Sequence, residues 1–278
     1  MDGRLLTTGE PHLEAGESAP LVRYFDIRWD SVLDGPGVRC VVHLQGCHLA
    51  CPWCHSPHGQ PHDSPPLVLP FEGPNPPFLG RSESPAALFR RLSPQLELLR
   101  RIGGLTLSGG EPLDQVEASE ALLRLCRVRQ HHTTIETSAD SSWDTIERLA
   151  PWVDVWLVGL RVVPTTVREE RVPEPSTVRR NIGGLVRSGA NVVVRIPLIP
   201  GYTDNPTSLE LARRILDDEG VTRVELLPFN SAIGVYYRAM ARPEPHFAPW
   251  DELSSLERAH RILKTSARAV TYATVHPH

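Results

Sequence analysis

From residue 84 onward, short apolar runs alternate regularly with amphipathic stretches. Short runs rich in Val, Ile and Leu at 105–108, 134–137, 153–158, 192–198 and 224–229 read as strands buried on both faces, where near-continuous apolar runs replace strict alternation. Amphipathic stretches lie between them. Ser176 can cap a helix carrying Val178, Ile182, Leu185 and Val186, with Gly189 as its stop. Asn205-Pro206 opens another, with Leu209, Ala212, Ile215 and Leu216 on one face and Gly220 at its end. Ser84-Pro85 and Leu113 open two more, and Leu253, Leu256, His260, Leu263 and Ala267 form the stripe of a last helix. Upstream, runs 22–27 and 38–44 flank the strong turn sequence Asp34-Gly35-Pro36-Gly37 and predict an N-terminal extended hairpin.

Counting 41–44 first, six strands joined by helices predict the α/β class, with a parallel sheet and right-handed crossovers. Six units fit an open, partial (β/α)6 barrel better than a closed eight-unit one. Residues 1–20 read as a mobile polar tail and 21–278 as a single domain. Within it, 56–83 is a Pro-rich insertion, expected to be ordered only by docking on the rest. Function is expected at the C-terminal ends of the strands.

Composition narrows the class. The 278 residues carry a net charge of −4, against a nucleic-acid partner. No run approaches the roughly 18 apolar residues of a membrane span. The first twenty residues hold four acidic side chains and no apolar core of a secretory signal, so the expectation is a cytoplasmic protein. Of five cysteines, Cys47, Cys51 and Cys54 fall within eight residues, which is a poor disulfide framework and a good metal or cluster site. Three soft ligands on one loop suit an iron–sulfur cluster or zinc. Zinc would need a fourth ligand, which His55 or His58 could supply, in a non-catalytic binding module stapled by the metal. Cys40 and Cys126 read as buried apolar residues.

The C-x3-C-x2-C spacing, with Trp53 just before the last Cys, resembles the radical S-adenosylmethionine (SAM) superfamily. Asp34-Gly35-Pro36-Gly37-Val38-Arg39 and Leu44-Gln45-Gly46-Cys47 resemble its glycyl-radical-enzyme activating branch, to which pyruvate formate-lyase activase belongs. The likeness continues in order through Ser108-Gly109-Gly110-Glu111-Pro112, Glu136-Thr137, Arg195-Ile196-Pro197 and Val224 to Asn230. It implies a radical SAM partial barrel in which Cys47, Cys51 and Cys54 hold one 4Fe–4S cluster and SAM occupies its open iron. One electron from an external flavodoxin- or ferredoxin-type donor would cleave SAM to a 5′-deoxyadenosyl radical, which abstracts hydrogen. The implied hydrogen source is a glycine of a partner enzyme, with a peptide or small metabolite as the alternative.

By the same resemblance, Gly109, Gly110 and Glu111 hold the methionine amino group and Trp53 lies over the adenine beside Cys54 and His55. Glu136 and Thr137 sit near the sulfonium, and Asn230 near the adenine. Arg195, a charge in an apolar run, is expected to face the barrel interior and meet a carboxylate. Two features depart from the pattern. Val158-Gly159-Leu160-Arg161 stands where such activases commonly read Asp-x-Lys, so Gly159 replaces a carboxylate and Arg161 keeps only the positive charge. The Pro-rich 56–83 segment stands in place of a ferredoxin-like insertion and contains no cysteine.

Overall fold

The structure is a computed structural model that describes residues 20–63, 80–163 and 172–273. The N-terminal tail up to residue 19 and most of the Pro-rich stretch lie outside the described residues. Strands β1 (Val22–Ser31) and β2 (Val38–Leu44) form the expected antiparallel hairpin, with Tyr24 opposite Leu44 and Ile27 opposite Val42. The short strand β3 (Arg81–Glu83) pairs antiparallel with β1. It lies inside the stretch read as an insertion, so that stretch contributes a strand to the sheet instead of only docking on it.

The remaining strands are β4 (Gly103–Gly109), β5 (His132–Thr137), β6 (Val155–Gly159), β7 (Val192–Pro197), β8 (Arg223–Leu227) and β9 (Ala269–Tyr272). All continue from β2 in parallel register, giving the order β3-β1-β2-β4-β5-β6-β7-β8-β9. The two edge strands do not meet, so the sheet is a partial, unclosed β/α barrel. The sequence reading missed β9, a seventh parallel strand. Ala269-Val270-Thr271-Tyr272 buries only Val270, which gives almost no apolar run to read.

Helices α1 (Pro85–Leu99), α2 (Val116–Val128), α3 (Trp143–Leu149), α4 (Pro175–Arg187) and α5 (Pro206–Asp218) alternate with the strands. The short α6 (Gly234–Ala239) and then α7 (Glu252–Leu263) precede β9. Their starts follow from capping: Ser84 accepts from Ala87 N, Ser142 from Thr145 N and Asn205 from Ser208 N. Helix α4 begins before the predicted Ser176 cap, at Pro175, with Glu174 in the cap position. Pro at a first helical position costs no hydrogen bond. Helix α7 is rotated from its predicted stripe: Ser255, Ala259 and Leu263 are buried, Leu253 is 67% exposed, and Ala267 lies past the helix.

The main core lies between the sheet and the helices. Leu105, Leu107, Ile135, Trp156, Val158, Val194, Ile196, Val224 and Leu226 meet Leu88, Leu122, Ile182, Leu209 and Leu263 there. Residues of β6 and β7 at alternate positions (Val155, Leu157 and Val193) form a separate small cluster on the other, inner face. On that face β4, β5, β7 and β8 carry Thr106, Ser108, Thr134, Glu136, Arg195 and Glu225. Strands β4 and β5 therefore alternate apolar outside with polar inside, more strongly than the sequence reading allowed, whereas β6 is apolar on both faces. Among the described residues, no helix is long and apolar enough to cross a membrane.

Candidate active site and the cysteine loop

The cysteine loop leaves the C-terminal end of β2 and is tied down by its own backbone. Gly46 N donates to Gly59 O at 2.8 Å, Cys47 N to Gln60 O at 2.9 Å, and Cys54 N to Cys51 O at 3.1 Å. Tyr237 Oη donates to Pro52 O at 3.2 Å, so α6 closes over the loop. Trp53 is 7% exposed and packs with Val163, Val172 and Ile199, its ring 4.8 Å from that of Tyr202. Its buried Nε1 has no partner. His58 is buried against Phe25 and Tyr236, and burial pushes it down to about 4. His55 is exposed and lies within electrostatic reach of Glu136, Arg161 and Asp34.

The Gly-Gly-Glu loop after β4 lies directly beneath. Gly110 N donates to Leu44 O at 2.7 Å and Glu111 N to Gly46 O at 2.8 Å. A Cβ on Gly110 would fall 2.1 Å from Gly46 O, and one on Gly109, at φ +103°, would fall 2.4 Å from Leu44 N. Both glycines are thus required by the close approach of the cysteine-loop backbone.

Glu111 is 2% exposed, and its carboxylate accepts four hydrogen bonds. Oε1 takes Thr137 Oγ1 at 2.6 Å and Leu113 N at 3.1 Å, while Oε2 takes Ser138 N at 2.9 Å and Ser138 Oγ at 2.6 Å. Burial pushes this carboxyl up, and the four donors pull it back. A carboxylate offers about four lone-pair sites, and in the structure four donors of the chain itself meet those of Glu111. Its side chain bolts the β4 loop to the end of β5, and Thr137, which also accepts from Ala139 N at 2.9 Å, belongs to the same bolt.

The chamber floor is charged. Arg195 is 4% exposed; its Nη1 donates to Glu136 Oε1 at 2.9 Å, and Nη2 donates to Leu33 O. Its Nε lies 2.7 Å from Glu225 Oε2, off the hydrogen-bond line. Arg195 therefore meets two carboxylates of its own chain, and all three of its nitrogens are engaged. Ser108 Oγ donates to the other oxygen of Glu136 at 3.0 Å. Burial opposes ionisation of Glu136, but the adjacent Arg195 guanidinium outweighs it and holds this carboxyl at about 2. Asp34, on the β1–β2 turn, is pushed up by burial and by the neighbouring Glu136. Deeper still, Arg39 is fully buried and binds Thr106 Oγ1 at 3.0 Å, Thr134 Oγ1 at 3.1 Å and Pro36 O at 3.2 Å. Burial lowers it to about 10.

Arg161 folds back over Gly159. Its Nη1 lies 3.4 Å from Gly159 O, and a Cβ on Gly159 would fall 2.5 Å from Nη1 and 2.8 Å from Cζ. The guanidinium fills the volume a side chain at 159 would take, and it forms no ion pair among the described residues. Its charge reaches Cys51 and Cys54. Asn230 is exposed at the mouth, where its Oδ1 caps the turn after β8 by accepting from Ala232 N at 3.0 Å.

Burial raises all three loop thiols, Cys51 to about 12. A bound metal centre reverses that cost, because a coordinating thiol is deprotonated outright. Among the described residues no group of three His, Cys, Asp or Glu could hold a single metal ion. A mononuclear zinc needs such convergence, and His58 is held by its aromatic neighbours. A cluster that gives each thiolate its own iron suits the donor set of Cys47, Cys51 and Cys54. Cys40 and Cys126 are fully buried in the main core, as expected.

Residues 41–212 match the model of the Radical SAM superfamily. The chain belongs to the radical SAM superfamily. Within it, the chain is 31% identical over 239 residues to pyruvate formate-lyase 2-activating enzyme of Escherichia coli (strain K12), covering 80% of this chain and 82% of that one. It is 27% identical over 273 residues to isethionate sulfite-lyase activating enzyme of Desulfovibrio desulfuricans, covering 80% and 87%. These relatives place this radical SAM enzyme in the glycyl-radical-enzyme activating branch. The fold matches that of Streptococcus suis SuiB bound to its precursor peptide SuiA with a TM-score of 0.60 at 15% identity, covering 85% of this chain and 48% of that one. Family membership implies one 4Fe–4S cluster and SAM as cofactors, and it sets aside the zinc-stapled module.

Sequence reasoning missed Asp34, Arg39, Ser108 and Glu225 as parts of the chamber. The signal was present as period-two polar positions inside otherwise apolar strands: Thr106 and Ser108, Thr134 and Glu136, and Glu225 between Val224 and Leu226.

Proposed function

We propose that this radical SAM enzyme is an activase that takes a hydrogen from a glycine of a partner glycyl-radical enzyme, drawing its electron from an external flavodoxin- or ferredoxin-type donor. The observation that carries this reading is the match over four-fifths of the chain to activating enzymes. Bound at Cys47, Cys51 and Cys54, the cluster and SAM would supply a 5′-deoxyadenosyl radical by one-electron cleavage. The chain's own residues bind, orient and shield. The backbone of Gly109 and Gly110 borders the chamber, with Glu111 and Thr137 fixing that loop from behind. Glu136 presents an ionised carboxylate toward a cationic sulfonium, and Arg195 holds it in place. Trp53 and His55 wall the cluster side, Asn230 stands at the mouth, and Arg161 offers a cation to a carboxylate in the chamber. The sequence contains no cysteines that could hold a second cluster in the 56–83 segment, which supports a separate electron donor.

The test is anaerobic incubation of the reduced enzyme and SAM with a glycyl-radical enzyme from the same organism, read by electron paramagnetic resonance. A glycyl radical on the partner is the expected result. SAM cleavage that proceeds without any radical on that partner would move the reading to a free peptide or small metabolite, the option that the Gly159 departure favours.

A further inference from the structure

Among the described residues, three that are not glycine take a left-handed backbone: Gln130, Ala139 and Ala241. Gln130 and Ala241 each lie two residues past a helix end, where such a turn is customary. Ala139, at φ +55°, follows strand β5 instead, three residues after Glu136. Its methyl group is buried in the main core. A packed alanine therefore holds a conformation that glycine alone takes freely. Strain of this kind persists only where the surroundings impose it.

The imposing contacts come from helix α4. Asn181 is fully buried, and its Nδ2 donates to Ala139 O and to Ser141 O, both at 2.8 Å. Both partners are carbonyls, so the amide can face them only with its nitrogen. Asp140, between them, accepts at Oδ2 from Glu174 N, the capping residue of α4, at 3.1 Å. Helix α4 thus holds three consecutive residues of the loop after β5. That loop leads straight into the chamber. Ala139 N donates to Thr137 Oγ1 at 2.9 Å, and Ser138 donates to Glu111 through N and Oγ. Glu111 grips the loop before the left-handed turn, and Asn181 grips it after.

We propose that Asn181 is a positioning residue for SAM: it holds Ala139 left-handed, and through Ala139 it fixes Thr137, Ser138 and the Glu136 carboxylate in the chamber. The inference rests on the reading of Glu136 as facing the SAM sulfonium, and it adds which residue outside the chamber sets that geometry.

The test uses reconstituted protein that has kept its cluster, as the unmodified chain, Asn181→Ala, Ala139→Gly and the double variant. SAM affinity is measured by equilibrium dialysis well below each melting temperature, and hydrogen exchange of segment 134–141 is measured without SAM. Without Asn181, the steric preference of alanine against the left-handed region leaves the native loop populated at about one part in ten, so Asn181→Ala should bind SAM about tenfold more weakly. Its segment should exchange at least about tenfold faster than in the unmodified chain. Glycine takes the left-handed region freely, so the double variant should recover SAM affinity to within about threefold of the unmodified protein, and Ala139→Gly alone should stay within that limit. An Asn181→Ala protein that melts earlier yet keeps its SAM affinity would overturn the proposal, and so would a loss of affinity that Ala139→Gly does not reverse. Should Asn181→Ala fail to fold, the other forms decide. A tenfold loss of affinity in Ala139→Gly, or a segment that exchanges at the unprotected rate in the unmodified chain, overturns the clamp. Unmodified protein that holds its cluster but binds no SAM removes the reading of the chamber itself, and the proposal with it.

Discussion

Glu111→Gln separates two accounts of the Gly-Gly-Glu motif. In the structure the carboxylate accepts from Thr137 Oγ1, Leu113 N, Ser138 N and Ser138 Oγ. A glutamine keeps the shape but turns one oxygen into a donor. That donor faces either the Ser138 amide or the Leu113 amide, neither of which can accept. One buried N–H is left unsatisfied, costing about 1–3 kcal/mol, and the remaining bonds lose their charge assistance. The total is about 2–4 kcal/mol, or roughly 5–10 °C in melting temperature for a chain of this size. SAM affinity, measured by equilibrium dialysis on protein that has kept its cluster well below the melting point, should fall by less than about threefold. That limit follows because lone pairs already filled by the chain cannot hold a ligand. An unchanged melting temperature with SAM affinity reduced tenfold or more would refute the reasoning and return Glu111 to the ammonium group.

Three further outcomes follow from the same geometry. SAM cleavage should run at similar rates in sodium and potassium at fixed ionic strength, because Arg161 already places a cation over Gly159; a strong cation effect in the unmodified protein would contradict this. Gly159→Asp alone should pair with that guanidinium and gain no cation dependence, whereas Gly159→Asp combined with Arg161→Ala should gain it. Burial holds His58 at about 4 while the unfolded chain protonates near 6.5, so its contribution is present above pH 6.5 and lost as pH falls to 4. His58→Phe should therefore remove about 3 kcal/mol of acid destabilisation over that window in denaturant titrations; an unchanged pH profile would count against the buried neutral ring.

The strand–helix alternation was legible because the outward strand faces and helix stripes share one apolar core, and packing enforces the period. The cysteine loop was legible because thiol chemistry allows few other uses of that spacing. What escaped depended on long-range pairing. Strand β9 has one buried residue and exists because β8 offers it an edge. The pairing of Arg195 with Glu136 and Glu225 joins three strands that are far apart in sequence. Gly109 and Gly110 showed in the sequence as ligand-approach glycines, yet the backbone they admit is that of the cysteine loop itself. Nothing local distinguishes those two reasons for a glycine.

The most direct measurement is the quantity of 5′-deoxyadenosine formed when anaerobically reconstituted protein is mixed with SAM and dithionite. The protein should first hold about four irons and four sulfides per chain. It should then release 5′-deoxyadenosine and methionine in equal amounts, and Cys47→Ala, Cys51→Ala and Cys54→Ala should release neither, while Cys126→Ala remains active. Unmodified protein that holds its full cluster and yet forms no 5′-deoxyadenosine would contradict the account.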